Sequence, residues 1–414
     1  MLTTNGRANH REIGGRKKGE PHLLVLTVSA YEHRHREFLE SQDRFQHIYE
    51  QARRAAADHR IRIPEKVQYA LQAHGIAGLF LDPEQTFVAC THRNRSSPGT
   101  HSAFHHAHLE KALFETITRS LTECVGVRAT ARITNVDKKT VLRVLSRAAG
   151  HAVKISRSLL KNLKVTECQL DEMWSFIGKK EAHLEPIEKL EGILGDAWIW
   201  IAFDPAHKVV IAHVIGKRTE PHAVSLLQEV KRVTVCIPEL FTSDQLDQYK
   251  QALLQVYGHT ILPPRKPGPG RPSGPRLVPP EELLYAQVVK QYKNNRLAGI
   301  TRKVVFGDPQ KVQDIIQRSE VSRTINTSFV ERNNGTIRHI DARCTRKTYR
   351  FSKCSKNHER QFELSLAYYH LCLPHRSLTK RYRRPTTPFM SAGLTDHVWT
   401  MHELLQTPQK DIGT

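Results

Sequence analysis

The amino-acid sequence predicts an α/β protein with a mixed β-sheet and flanking helices, preceded by an all-α region. Two observations support this fold class. Residues 166–256 show consecutive strand patterns followed by an alternation of helix and strand, which implies a mixed sheet covered by helices. Residues 121–150 instead show apolar positions at helical spacing, interrupted by a short turn.

The composition limits the classes of protein to which the chain can belong. Its 414 residues suggest two or three folded units. Lys and Arg number 63 against 41 Asp and Glu, a formal net charge of +22, which predicts attraction to nucleic acid first and to an anionic membrane surface second. We find no apolar stretch of bilayer length, no signal-peptide pattern and no CxxC pair among seven cysteines. We therefore expect a soluble, cytoplasmic protein.

The first part of the chain shows no clear site chemistry. We predict a poorly defined extension over residues 1–65 and a histidine-rich segment over residues 66–117. A zinc site needs four ligands, usually in two close pairs. The candidates here match no strong zinc signature, so solvated or core side chains are the favoured interpretation and zinc is not expected: Cys90, His92, His101, His105, His106 and His108.

Residues 118–155 are predicted to form a helix-turn-helix DNA-binding domain. A short helix over residues 127–133 is followed by a turn, and Asp137 can cap a second helix whose inner face carries Val141 and Leu145. A second helix with a basic outer face is typical of binding in the DNA major groove. An ordinary helical hairpin with solvated charges fits the same pattern, and the charge of +22 favours DNA. The basic residues are Lys138, Lys139, Arg143 and Arg147.

Residues 166–375 carry the pattern of the mixed sheet. Strands are predicted over residues 166–177, 194–203, 208–215 and 236–242, and helices over residues 220–230, 245–256, 325–340 and 357–373. Eight prolines and three glycines lie within residues 261–280, and we expect an insertion without packed structure there. Residues 376–414 are predicted to be a carboxy-terminal tail.

Three acidic residues of this region are candidates for chemistry. The alternation along the first strand places Asp171 on a face that can line a cleft, whereas Glu172 shares the apolar face. Asp244 ends the strand that we predict to be the last of the sheet, at its carboxyl edge. Glu331 lies on a predicted helix, on one stripe with Asn334 and Arg338. Taken singly, each acid also fits an ordinary surface position.

A divalent cation would explain why a basic protein gathers three carboxylates. Clustered anions repel one another and any phosphate unless a cation lies between them. Mg²⁺ prefers octahedral oxygen ligands at about 2.0–2.1 Å. Two such ions about 3.5–4 Å apart assist phosphoryl transfer by activating the attacking oxygen and stabilising the leaving one.

An ordered set of motifs resembles the DDE transposases of bacterial insertion sequences, specifically the insertion-sequence-one-type branch. The motifs are DEMWSFIGKK at 171–180, GKRT at 216–219, TSD at 242–244, TSFVERN at 327–333, NGTIR at 334–338 and TTPFMSAGLTDHVW at 386–399. The resemblance extends from about residue 122 to about residue 405, roughly two thirds of the chain. The family often carries a zinc ribbon with paired CxxC motifs, and here only Cys90 and His92 stand in that region.

The resemblance implies an RNase H-like catalytic domain with Asp171, Asp244 and Glu331 as ligands of Mg²⁺ or Mn²⁺, two ions in all. Asp171 would bridge the ions, and Asn334 and Arg338 would orient Glu331 or a DNA phosphate. The implied activity is strand cleavage at the terminal inverted repeats and transfer into target DNA. The implied partners are double-stranded DNA and further copies of the chain during synapsis, in association with the bacterial nucleoid.

A basic segment follows the predicted acidic helix and is expected to hold DNA phosphates beside the site. Tyr349 and Phe351 interleave with the charges and are candidates for stacking on bases. The basic residues proposed to contact DNA here are Arg338, Arg343, Arg346, Lys347, Arg350 and Lys353. Two other functions stay open from the sequence: a helix-turn-helix regulator with an inert acidic cluster, and an RNase H-type nuclease that cuts without joining.

Overall fold

A computed structural model describes residues 102–105, 107–263, 274–294 and 296–408. The predicted extension, most of the histidine-rich segment and residues 264–273 of the predicted insertion lie outside these ranges. Within them, no helix combines the length and the apolar character that crossing a bilayer requires.

The helices and strands follow one another as an all-α region, a mixed α/β region and a helical end. The helices are α1 Lys111–Thr122, α2 Val127–Ile133, α3 Lys138–Leu159, α4 Pro186–Glu191, α5 Glu220–Val233, α6 Asp247–Tyr257, α7 Pro309–Arg318, α8 Ser328–Ile340, α9 Ser355–Leu371, α10 Arg376–Tyr382, α11 Pro388–Ser391 and α12 Met401–Gln406. The strands are β1 Glu167–Ile177, β2 Gly195–Asp204, β3 Val209–Gly216, β4 Leu240–Asp244, β5 His259–Ile261, β6 Arg276–Val278, β7 Tyr285–Lys293 and β8 Arg296–Phe306.

Six strands form one mixed sheet in the order β3-β2-β1-β4-β7-β8. Strands β1, β2 and β3 are antiparallel neighbours, β4 lies parallel to both β1 and β7, and β8 returns antiparallel to β7. The predicted class, a mixed sheet with flanking helices, is therefore confirmed. The expectation that β4 is the last strand is wrong, because β7 and β8 extend the sheet beyond it.

Strands β7 and β8 were not predicted, because apolar and polar residues do not alternate regularly along their sequence. The first four residues of β7 are buried, whereas its last three and most of β8 are exposed. These two strands are joined by a tight turn in which Asn294 has a φ of 51°, a left-handed conformation that asparagine tolerates. The parallel pairing of β7 with β4 covers only its apolar first half, so the rest of the hairpin extends into solvent and exposes apolar side chains such as Leu297 and Ile300.

Apolar side chains cover both faces of the sheet. On one face, helices α5 and α6 supply Leu226, Leu227, Tyr249 and Leu253 to a core shared with β1, β2 and β4. On the opposite face, α8 and α9 pack on β1, β2 and β3 through Val330, Ile337, Phe362, Leu366 and Tyr369. This two-sided packing fixes β1 between the two helical layers, and Phe362, Leu366 and Tyr369 are buried in it.

The all-α region packs against the far side of α9. Phe114 and Ile117 of α1, Leu145 of α3 and Leu364 and Leu371 of α9 share one core. Asp137 caps α3 as predicted, since its side chain accepts a 2.7 Å hydrogen bond from the amide of Lys139. Helix α3 continues to Leu159, beyond the end predicted for the helix-turn-helix domain at residue 155.

Helix α3 is longer than predicted, and β4 and α8 begin later than predicted. Each of these differences has a local cause. Ala148, Ala152 and Ile155 continue the buried stripe of α3, so burial against α9 extends the helix. Strand β4 begins only at Leu240, after Pro238, which has no amide proton for a sheet ladder. Helix α8 begins at Ser328, whose amide donates to the side chain of Asn326. The predicted tail is packed, since Met401, Leu404 and Leu405 join the core of the all-α region.

Candidate metal centre

The register of the two central parallel strands places two predicted acids side by side. Gln169 of β1 pairs with Thr242 of β4. Two residues further along each strand, on the same face of the sheet, stand Asp171 and Asp244. Strand β4 ends at Asp244 while β1 continues to Ile177, so the two carboxylates lie at a step in the carboxyl edge of the sheet.

A third carboxylate completes this group, and it is not the predicted one. One carboxylate oxygen from each of Asp171, Glu172 and Asp244 can be chosen so that all lie within 4.8 Å of one another. Glu172 belongs to the helix α6 side of the sheet, as its alternation predicts, yet its side chain reaches the step where β4 ends. The sequence analysis assigned Glu172 to the apolar face, and its only signal was its position next to Asp171.

Glu172 is buried and paired with an arginine. Its side chain is 2% exposed, and Oε2 accepts from Nη2 of Arg218 at 3.0 Å and from Nε at 3.2 Å. The Arg218 guanidinium in turn lies over the ring of Trp198, 4.8 Å from its centroid. The contact with Trp198 holds the guanidinium in place, so one positive charge is fixed beside the acidic group.

Burial and mutual repulsion disfavour the charged forms of these acids. Burial, with the charge of Glu172 and smaller contributions from Asp244 and Glu331, raises the pKa of Asp171 to about 7. Burial also raises the pKa of Asp244, against the opposing charges of Arg218 and Lys290. It likewise raises the pKa of Glu172, against Tyr249 and Arg218. When all three carboxylates are ionised, the nearby side-chain cations therefore do not neutralise their negative charge.

Helix α8 supplies a neutral donor to the centre. The side-chain amide of Asn334 donates to Oδ2 of Asp171 at 2.7 Å. Asn334 was predicted to orient Glu331 or a DNA phosphate, but its side-chain amide binds Asp171 instead. Because Asn334 is buried and α8 is packed on β1, this bond fixes one oxygen of Asp171.

Glu331 lies near the group but outside it. Its charge acts on both Asp171 and Asp244, so the structure brings all three predicted carboxylates into one neighbourhood. Its Oε1 accepts from the Lys290 ammonium at 2.5 Å and from the Thr327 hydroxyl at 2.9 Å. Lys290 was missed by the sequence analysis because strand β7, which carries it, was not predicted.

The residues of the centre fit a hard divalent cation. The Oε1 atom of Glu172 is buried, and no hydrogen bond of normal geometry reaches it within the described parts of the chain. All candidate ligand atoms are carboxylate oxygens, which are the donors that Mg²⁺ and Mn²⁺ prefer. A cation here would neutralise the mutual repulsion of the three carboxylates.

The predicted DNA-contacting residues divide into exposed ones and ones held by the protein. Lys138, Lys139, Arg143 and Arg147 are all exposed on α3, and the Nε of Arg147 also donates to the carbonyl of Ala103 at 3.5 Å. Arg346 and Lys347 are exposed in the segment between α8 and α9.

Two arginines of the basic segment that was predicted to hold DNA phosphates instead bind the protein backbone or side chains around α8. Arg338 donates to the carbonyl oxygens of Cys344 and Trp174, at 2.6 and 3.3 Å. The amide of Arg343 is bonded to Asp341 and its guanidinium to Ser352. Both guanidinium groups therefore make hydrogen bonds within the protein, whereas contact with DNA was predicted for them.

The same segment joins the all-α region to the acidic helix. Arg350 donates to the carbonyl of Cys124 at 2.5 Å, just before α2. The Cys124 thiol lies 3.4 Å from the Thr345 hydroxyl, and Thr345 also donates to the carbonyl of Arg338, in α8. Helix α2 is thus connected through one short loop to the helix that carries Glu331 and Asn334.

The two aromatic residues of this loop have different surroundings. Phe351 packs against Phe176 with 4.6 Å between ring centroids and the rings tilted by 32°, and the ammonium of Lys353 lies 3.1 Å from the centroid of Phe351. Tyr349 is 98% exposed. Only Tyr349 therefore presents a ring face to solvent, where a base can stack.

No protein-family model matches the chain, and a search of curated proteins found no match.

Proposed function

We propose that the chain is a metal-dependent transposase of the DDE type, which cleaves DNA at the ends of an insertion sequence and joins those ends to target DNA. Asp171 and Asp244 would hold the first divalent cation, with Glu172 beside them, and Glu331 would help to hold a second. The proposal includes an RNase H-like catalytic domain, a helix-turn-helix formed by α2 and α3, and association with the nucleoid.

One observation carries the proposal: two central parallel strands place Asp171 and Asp244 at one edge of the sheet, in a chain with a net charge of +22. A basic protein that binds DNA gains nothing from buried carboxylates unless they hold cations. The strand order, with three antiparallel strands followed by parallel β4 and β7, is compatible with the RNase H-like arrangement. The acidic helix α8 follows β7 and β8 and packs against β1, which supports Glu331 as a member of the same site.

The chain's own residues would position the reacting groups. Divalent cations bound at such a centre supply activation of the attacking oxygen and stabilisation of the leaving oxygen. Asn334 holds the carboxylate of Asp171 in one orientation, and Arg218 holds that of Glu172. The overall reaction proposed is hydrolysis at the element end, followed by attack of the freed 3′-hydroxyl on target DNA, with no covalent protein intermediate.

DNA would be held by the exposed basic surface of α3 and by the loop between α8 and α9. Lys138, Lys139 and Arg143 are positioned on one helix with its apolar face buried, as binding in a major groove requires. The loop connection from Cys124 to Arg350 would transmit the position of a bound end to α8. Synapsis of two ends requires at least two copies of the chain.

A strand-transfer assay tests the proposal. A pre-cut, end-labelled DNA carrying the inverted repeat that flanks the gene is incubated with supercoiled target and Mg²⁺. Joined product that disappears in Asp244→Asn, with end binding retained, supports a transposase. Cleavage without joining would indicate the nuclease, and binding without either would indicate the regulator.

A further inference from the structure

Strand β7 places a lysine, Lys290, beside the acidic centre. Asp244 pairs with Val288 in the parallel ladder between β4 and β7, so Lys290, two residues further along β7, shares the face on which Asp244 lies. Its ammonium lies 2.5 Å from Oε1 of Glu331. The Thr327 hydroxyl donates to the same oxygen at 2.9 Å. Glu331 is therefore held by two donors from two different elements.

The ammonium of Lys290 acts on the whole group of carboxylates. Although burial lowers the pKa of Lys290, its bond to Glu331 and the nearby negative charge of Asp171 raise it overall, so the side chain is a cation at neutral pH. Its charge also opposes the rise in the pKa of Asp244. In this state Lys290 supplies the positive charge that a second divalent ion would supply.

The pair is accessible from outside. The side chain of Lys290 is 30% exposed and that of Glu331 is 44% exposed, whereas that of Glu172 is 2% exposed. Lysine carries a compact charge on a flexible stem, so Lys290 can change its partner without a movement of the strand. An ammonium and a divalent cation repel each other, so both cannot bind Glu331 closely at the same time.

Building on the proposed function, we propose that Lys290 holds Glu331 in the DNA-free protein, yields it to the second divalent cation, and then binds a phosphate of the DNA at the reacting site. Lys290 is then a positioning residue for Glu331 and a ligand of DNA. A surface ion pair without this role would contribute little to stability and nothing to metal binding.

The first test measures Mn²⁺ binding to the DNA-free protein by isothermal titration calorimetry, in wild type and in Lys290→Met. We expect the weaker of two Mn²⁺ sites to bind about tenfold more tightly in Lys290→Met, because a competing charge is gone. Lys293→Met is the matched control: Lys293 is exposed on the same strand but on the opposite face, and its loss should leave both sites unchanged. Equal Mn²⁺ affinities in wild type and Lys290→Met would overturn the proposal.

The second test measures binding of a random-sequence duplex as a function of salt. Without metal, Lys290→Met and wild type should bind alike, since Lys290 is engaged with Glu331. With Mn²⁺, the slope of log K against log salt should be smaller for Lys290→Met by about 0.9, the value of one lost phosphate contact. Equal slopes with Mn²⁺, or a difference that is already present without metal, would contradict the exchange.

Folding and the proposed function are separated by two further measurements. The melting temperature of Lys290→Met and of a second variant, Lys290→Gln, shows whether both proteins are folded, and both should give the same change in Mn²⁺ binding. If Asp244→Asn abolishes Mn²⁺ binding while Lys290→Met leaves it as in wild type, the exchange fails and the metal centre stands. If Asp244→Asn also leaves Mn²⁺ binding unchanged, the metal centre itself is wrong.

Discussion

The side-chain amide of Asn334 donates a 2.7 Å hydrogen bond to Oδ2 of Asp171 and so joins helix α8 to strand β1 at the acidic centre. Two residues that are 163 positions apart in the chain are thereby held in one orientation. The contact links the helix that carries Glu331 to the carboxylate at the middle of the group.

Replacing Asn334 tests how far this bond prepares the centre. In Asn334→Ala, Asp171 loses a fixed donor, and we expect the affinity for Mn²⁺ to fall about 10- to 100-fold, as is typical of residues that orient metal ligands. Calorimetric titration with Mn²⁺ measures the change. Arg332→Ala, an exposed neighbour on α8, serves as the control and should bind as wild type does. An unchanged affinity in Asn334→Ala would show that the bond is incidental.

Stability without metal should depend on the protonation of Asp171. Its pKa is raised from an ordinary 3.8 to about 7 in the folded protein, so folding favours the protonated acid. The resulting stability is complete below about pH 4 and is lost as the pH rises through about 7. Asp171→Asn removes this loss, so we expect it to unfold at a higher temperature than wild type at pH 8, with a smaller difference at pH 5.

Thermal denaturation in the presence of a chelator measures this effect at both pH values. Asp247→Asn is the control, because Asp247 is an exposed acid in the first turn of α6. It should give no gain that grows with pH. A melting temperature of Asp171→Asn below that of wild type at pH 8 would argue against a strained carboxylate at this position.

Metal binding should release protons. Below about pH 7 a cation must displace the proton of Asp171, so the apparent affinity for Mn²⁺ should fall by up to about tenfold for each pH unit. Titrations in buffers of different ionisation enthalpy measure the number of protons released. Affinity that stays constant between pH 5 and pH 8 would be inconsistent with Asp171 as a ligand.

The two outer carboxylates should affect metal binding differently. Asp244 lies in the acidic group and Glu331 is held by Lys290, so Asp244→Asn should weaken the tighter Mn²⁺ site by about tenfold or more, whereas Glu331→Gln should leave it within about twofold. Both variants should abolish strand joining. Calorimetry and the strand-transfer assay distinguish these effects, and equal losses of the tighter site would place Glu331 in the first metal site.

The exposed basic face of α3 should contribute directly to DNA binding. Replacing Lys139 with Ala should lower the slope of log K against log salt by about 0.9, because one phosphate contact is lost. Fluorescence anisotropy with a labelled duplex measures the slope. Lys311→Ala, on the exposed face of α7, is the control and should keep the wild-type slope. A Lys139→Ala slope equal to that of wild type would exclude α3 from the interface.

Local patterns made the two aspartates candidates, because alternation places Asp171 on the cleft face and Asp244 ends a predicted strand, whereas their role as metal ligands came from the resemblance to DDE transposases. Asp171 was assigned to the cleft face by this parity, and its hydrogen bond to Asn334 is consistent with that face. Glu172 shows the limit of the same argument. Parity places it on the α6 side, yet a strand that ends beside it opens space for its longer side chain to reach Asp171 and Asp244.

The sequence by itself determined the mixed sheet and the cap of α3 at Asp137, because these depend on periodicity and on residue type over short stretches. It also singled out Asp171, Asp244 and Glu331, through their motifs, which resemble those of DDE transposases. Only the tertiary structure decided that Glu172 joins the two aspartates, that Lys290 holds Glu331 and that Asn334 binds Asp171. Each of these contacts joins side chains through the pairing of strands or the packing of a helix. Distances across a sheet depend on register and strand ends, which no local pattern contains.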